Sequence, residues 1–209
     1  MLDYYIIDNF ISEKYVDKIL ENIKNSPSVI LDGKVEKHLV GNTDYQYYIC
    51  RDNIRNNNDI KQHVFGRLNK FYCKELGKIC NSTNINPLNF FTKKFEPNKS
   101  FYNLHVEDPK YFGDIVFMLY LNDESDGELV LPSFEDSKPL WSDGFNTMMQ
   151  NIDVTFAKKS LSILPKRNRC VFVKVGLAHY VKQCSGHRYT LSGWSFASDV
   201  YYKKFYNKE

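Results

Sequence analysis

The run Asp114-Ile115-Val116-Phe117-Met118-Leu119-Tyr120-Leu121 is apolar at every position but the first. Laid out as a strand, it sends Ile115, Phe117 and Leu119 to one side and Val116, Met118 and Tyr120 to the other. A strand with two apolar faces is covered on both sides. This segment therefore predicts a sheet sandwiched between a second layer and a set of covering elements.

The cover lies upstream. Tyr4 to Phe10 reads as a short strand ending in a turn at Asp8-Asn9. Ser12 then opens a helix, as N-cap, whose apolar residues Tyr15, Val16, Ile19, Leu20 and Ile23 keep helical spacing. Residues 26–58 are rich in Pro, Gly, Asn and Asp, with Tyr45 to Ile49 a strand inside them. A second helix carries Val64, Leu68, Phe71, Tyr72, Leu76 and Ile79 in one stripe, capped by Asn58 or Asp59 and stopped near Asn81-Ser82. Helices are thus expected near 12–24 and 59–79, covering one sheet. From Asn86 to Ala197 short β-rich runs alternate with turn residues, as in a barrel or sandwich. The expected fold class is α+β: one domain over 1–209, with a helical support region to about residue 85 and a β core from about 87 to 197.

Composition excludes several classes. The 209 residues are 43% hydrophobic and 25% charged, close to globular averages, which rules out a disordered, fibrous or coiled-coil chain. No apolar run approaches the ~20 residues of a membrane helix, and Met1 to Phe10 lacks a signal-peptide pattern. Five cysteines, odd in number and without Cys-x-x-Cys, suggest reduced thiols and a cytoplasmic location. A net charge of +3 gives no argument for a nucleic-acid partner. The aromatic and basic tail, Tyr201 to Lys208, reads as a solvated terminus.

Three places in the β-rich half carry chemistry. In His105-Val106-Glu107 the imidazole and carboxylate share one strand face, so both can converge on one metal ion. His179 follows the apolar strand Cys170 to Val175. Two histidines and a carboxylate form a facial triad, which leaves positions open for non-haem Fe(II) and oxygen chemistry. Arg188 opens the strand Arg188 to Trp194, where a guanidinium can hold a carboxylate bidentately. His38 and His63 have no partner at ligand spacing and read as a loop and a helix-surface histidine; His187 points away from the Arg188 face.

The order of these pieces is His-x-carboxylate, a strand ending Tyr120-Leu121-Asn122, an acidic turn, and Gly127-Glu128-Leu129-Val130-Leu131-Pro132. Leu164-Pro165-Lys166, an apolar strand, His179 and Arg188-Tyr189-Thr190-Leu191 with Trp194 then follow. That ordered set resembles the Fe(II)/2-oxoglutarate-dependent oxygenases, in their prolyl-4-hydroxylase-like branch. The resemblance covers roughly Pro87 to Phe196, and more loosely Ile6 to Ser12. It implies a double-stranded β-helix (jelly roll) with flanking N-terminal helices. It also implies iron ligation by His105, Glu107 and His179. The far carboxylate of 2-oxoglutarate would fall to Arg188 and Tyr120, with Thr190 on the same face and Trp194 walling the pocket.

Cofactors implied by the resemblance are Fe(II) and the co-substrate 2-oxoglutarate, with L-ascorbic acid a further candidate. The implied reaction uses O2 to hydroxylate an unactivated carbon, foremost a prolyl residue in a peptide or protein, releasing succinate and CO2. Most members have Asp where this chain has Glu107; Asp108 follows, but strand parity turns it to the opposite face. The usual Gly-Gly before Glu-Leu is here Asp126-Gly127, one glycine still supplying the turn. Tyr45 to Tyr48 and Asp136 to Gln150 are candidate substrate-facing segments. Alternatives are a same-fold oxygenase acting on a small molecule or nucleic acid, or a catalytically silent binding module. Nucleic-acid demethylation is disfavoured because Trp194 stands where that branch has a second arginine.

Overall fold

Two apolar faces on one strand require two separate cores, and the computed structural model of the chain shows both. It describes residues 4–25, 29–32, 45–50, 57–75, 85–107, 115–124, 126–132, 149–151 and 160–195. The described strands are β1 (Tyr4–Ile7), β2 (Val29–Asp32), β3 (Tyr45–Cys50), β4 (Ile85–Phe95), β5 (Phe101–Glu107) and β6 (Ile115–Tyr120). They continue as β7 (Leu129–Pro132), β8 (Met149–Asn151), β9 (Ser160–Ile163), β10 (Cys170–Lys174), β11 (His179–Val181) and β12 (Arg188–Ser195). The helices are α1 (Glu13–Lys24) and α2 (Asn58–Glu75).

All described pairings are antiparallel, and the strands run in the order β1-β10-β6-β12-β4-β3-β5-β11-β7-β9. The path forms two facing layers, β1-β10-β6-β12-β4 and β5-β11-β7-β9, with β3 pairing to both β4 and β5. This is the expected jelly roll with flanking helices. The front of the chain is more than a helical support, however: β1 borders the first layer and β3 lies between β4 and β5. A segment rich in turn residues can still supply a strand when a neighbour offers unpaired backbone groups, and β3 satisfies both edges at once.

The inner core lies between the layers. Val116, Met118 and Tyr120 of β6 join Val171 and Val173 of β10, Leu129 and Leu131 of β7, and Ile163 of β9 there. The outer core lies under the helices. Ile115, Phe117 and Leu119 pack with Val16, Ile19 and Ile23 of α1 and with Ile60, Val64, Leu68, Phe71 and Tyr72 of α2. Phe172 of β10 anchors that side, its ring stacked 3.9 Å from Phe71. Burying one such side chain is worth about 1.5–3 kcal/mol, so the helix stripes alone hold α1 and α2 to the sheet.

Local details depart from the sequence reading in three places. Ser12 takes the extended N-cap conformation, but its side chain makes no capping bond. The cap of α2 is Asn57 rather than Asn58 or Asp59: Ile60 N–H donates to Asn57 Oδ1 at 3.2 Å, and Asp59 instead accepts from Tyr15 and Lys18 of α1. His63 is half-buried, its ring stacked 3.8 Å from Tyr15, because α1 crosses that turn of α2. The distal stretch of the second predicted helix, with Leu76 and Ile79, lies outside the described residues, as do His38, Asp108 and nearly all of the loop 136–150. No helix among the described residues is long and apolar enough to cross a membrane.

Candidate metal centre and its pocket

The β5–β11 ladder sets His105 directly opposite His179. Their ring centroids are 4.3 Å apart, and Glu107 lies two residues beyond His105 on the same face. One potential donor atom from each of His105, Glu107 and His179 lies within 4.8 Å of the other two, and all three residues are buried. His179 Nδ1 is 2.9 Å from the Leu177 carbonyl. That carbonyl accepts the Nδ1 proton, so Nε2 keeps its lone pair for a metal.

The three donors open into a common cleft that Lys93, Phe95, Tyr102 and Met118 also line. Its far wall comes from β12, where parity sends Arg188, Thr190, Ser192 and Trp194 to the same side. Arg188 is 2% exposed, donates from Nη1 to the Gly127 carbonyl at 2.8 Å, and lies over the Phe95 ring at 3.8 Å. Burial lowers its pKa from the usual value, with Tyr120 and Cys184 opposing. Tyr120 stands directly opposite Thr190 across the β6–β12 ladder. Burial raises its phenol pKa, against the pull of the Arg188 charge.

Glu107 Oε2, the Tyr120 hydroxyl and Arg188 Nε are buried with no hydrogen-bond partner among the described residues. Buried polar atoms are seldom left so. Two imidazoles, a carboxylate and nearby unsatisfied groups fit a divalent metal and an anionic organic ligand. Two imidazole nitrogens with one carboxylate oxygen is a donor set suited to iron.

Sequence reasoning missed one cation. Lys93 of β4 pairs with Thr190 and lines the same cleft. Its ammonium is 5.5 Å from the Tyr102 ring centroid and 5.6 Å from that of Trp194. Desolvation pushes its pKa down to about 8, opposed by Glu107 and reinforced by Arg188. Gly127 supplies a turn at positive φ, and its carbonyl also holds Arg188, a role no side-chain pattern announces.

The model of the 2OG-Fe(II) oxygenase superfamily matches residues 91–196, half of the chain. This chain belongs to that superfamily. As a 2OG-Fe(II) oxygenase it is an Fe(II)- and 2-oxoglutarate-dependent enzyme that uses O2, and the donor set agrees with that chemistry. No curated protein matches the sequence.

Among solved structures, a Pseudomonas putida prolyl-4-hydroxylase is similar at 12% identity and TM-score 0.56, with 93% of this chain and 92% of that one covered. A Trichoplax adhaerens prolyl hydroxylase, solved with a hypoxia inducible factor oxygen degradation domain peptide fragment, is similar at 14% identity and TM-score 0.61. The shared region covers 97% and 87% of the two chains. The non-heme alpha ketoglutarate dependent epimerase SnoN from nogalamycin biosynthesis is similar at 10% identity and TM-score 0.59, covering 99% and 86%. At these identities the likeness is one of fold. The same jelly roll therefore serves this 2OG-Fe(II) oxygenase, prolyl hydroxylases and an epimerase.

Proposed function

We propose that the protein hydroxylates an unactivated carbon, foremost a prolyl residue in a peptide or protein, with His105, Glu107 and His179 holding Fe(II). The observation that carries this reading is the meeting of those three donors, within 4.8 Å, in a cleft that also contains the Arg188 guanidinium. Iron and 2-oxoglutarate bound there supply the oxidising power, with succinate and CO2 as co-products.

The protein's own groups bind, orient and exclude water. Arg188 is fixed by Gly127 and Phe95, so its fork is set before a ligand arrives. It holds the distal carboxylate of 2-oxoglutarate together with the Tyr120 hydroxyl, and Thr190 lies in the same row as Tyr120. Trp194, Met118 and Val116 give the cleft an apolar wall that keeps water from the reacting carbon. The prolyl substrate rests on the sequence resemblance and on a fold shared with prolyl hydroxylases.

The test is succinate release from 2-oxoglutarate with Fe(II), ascorbate and O2, over a panel of proline-containing peptides. Hydroxyproline in a peptide, matched by succinate, is the expected result. Succinate release with every peptide unmodified would end the prolyl assignment, and failure of the wild type to bind 2-oxoglutarate at millimolar concentration would end the proposal.

A further inference from the structure

Two cations face one cleft, and they lie toward opposite ends of it. Arg188 and Trp194 are six residues apart on β12, with Thr190 between them and Lys93 directly across from Thr190 on β4. From that row the Lys93 side chain extends to within 5.6 Å of the Trp194 ring, the end away from Arg188. The same ammonium is 5.5 Å from the Tyr102 ring, which in turn lies 4.2 Å from the ring of His105. Lys93 therefore sits on the metal-ligand side, and Arg188 on the other.

We infer that Lys93 binds the carboxylate of the 2-oxo acid end of 2-oxoglutarate, as Arg188 binds the distal one. This rests on the 2-oxoglutarate reading above. A linear dicarboxylate whose oxo acid end lies at the metal ligands and whose far end lies at Arg188 presents its first carboxylate to the Lys93 side. An ammonium flanked by two aromatic rings is partly desolvated there, which strengthens its pairing with an anion. A lysine also suits this end better than an arginine: a compact point charge can pair with a carboxylate without presenting a planar fork to the metal ligands. Lys93 is thus a co-substrate-binding residue.

The experiment uses the protein loaded with Mn(II), an unreactive stand-in, and two ligands followed by calorimetry. One is 2-oxoglutarate; the other, 2-oxopentanoate, keeps the oxo acid end and lacks the distal carboxylate. Lys93→Met is expected to weaken both ligands by roughly tenfold or more, the loss of one hydrogen bond to a charged group. Lys93→Arg should recover much of that loss, and Arg188→Met should weaken 2-oxoglutarate alone. Lys93→Met binding both ligands as the wild type does overturns the inference. So does a loss confined to 2-oxoglutarate, which would put Lys93 at the distal end.

Mn(II) affinity reports whether each variant is folded. If Lys93→Met fails that control, protection of Lys93 from reductive methylation by 2-oxopentanoate, read in the wild type by mass spectrometry, decides. Protection supports the inference and its absence overturns it. Failure of the wild type to bind 2-oxoglutarate removes the parent reading and this one together. Wild-type binding with Lys93→Met unaffected removes only this one.

Discussion

The guanidinium of Arg188 hangs from the backbone carbonyl of Gly127 at 2.8 Å, so the cation facing the cleft is positioned by a turn 61 residues away in sequence. Gly127 has φ +75°, and a Cβ added to it would lie 2.5 Å from Cys184 Cβ. Both backbone conformation and space demand glycine there.

Gly127→Ala is therefore expected to cost about 1–3 kcal/mol of stability, as a left-handed alanine forced against a buried neighbour. It should also weaken 2-oxoglutarate binding, because the carbonyl that holds Arg188 must shift. Urea denaturation and calorimetry measure the two effects. A variant that loses stability with unchanged co-substrate affinity would show that the Gly127 carbonyl does not position Arg188.

Removing the cation itself has a larger consequence. Breaking a buried charge pair commonly costs 2–5 kcal/mol or more, so Arg188→Ala should weaken 2-oxoglutarate binding at least ~30-fold. Tyr120→Phe deletes one hydrogen bond to a charged group, roughly 1.5–3 kcal/mol, and should fall short of that. Metal binding should survive both changes. Anaerobic titration of the Fe(II)-loaded protein separates the cases, and equal affinity in wild type and Arg188→Ala would refute the assignment of Arg188.

How far the sequence led depended on whether strand parity or long-range pairing carried the information. The two faces of Ile115–Tyr120, and the shared face of Arg188, Thr190 and Trp194, follow from period two and match the structure. Lys93 was invisible to the same rule, because Lys93-Lys94 looks like a solvated pair until the register with Thr190 sends one lysine inward. β3 was legible as a strand, but nothing local says that it joins the two layers. The cap of α2 is Asn57, one residue before Asn58, while Asp59 pairs with Tyr15 and Lys18 of another helix. The first two of these are pairings between residues far apart in the chain.

Asn168 is the strongest example of such a contact. It is 1% exposed, has φ +61°, and clasps Ile11 on both sides, accepting from its N–H at 3.0 Å and donating to its carbonyl at 2.7 Å. Asn168→Ala strands two buried backbone groups, at about 1–3 kcal/mol each, so a loss of roughly 2–6 kcal/mol is expected. The urea midpoint should fall with little change in slope. A loss below about 1 kcal/mol would mean that water replaces the amide.

Asp8 ties β1 to the same turn through Arg169 at 2.7 Å and Lys166 at 2.8 Å, and these hydrogen bonds lower its pKa to about 2 from 3.8. A depressed folded-state value means that the pairing stabilises the fold above pH 3.8 and is lost as the pH falls through 2. Asp8 is over a third exposed, so the contribution is at most about 1 kcal/mol. Wild type and Asp8→Asn should differ by a constant amount above pH 4, and the gap should close toward about pH 2. A gap that widens on acidification would contradict the pairing.

The proposed metal centre yields the sharpest contrast, between neighbouring carboxylates. Glu107 is 2% exposed, its Oε2 has no partner among the described residues, and it shares a face with His105. Asp108 follows at the opposite parity, outside the described residues. Glu107→Gln keeps size and an oxygen but loses the charge that a divalent cation requires. Losing a partner in the outer shell of a metal site typically costs 10–100-fold in affinity, so losing a direct ligand should cost more than about 100-fold. Asp108→Asn should leave affinity unchanged, and His179→Ala should match Glu107→Gln. Mn(II) binding followed by electron paramagnetic resonance tests all three without turnover. Retention of metal by Glu107→Gln together with its loss in Asp108→Asn would reverse the ligand assignment and require a bulge in the strand after His105.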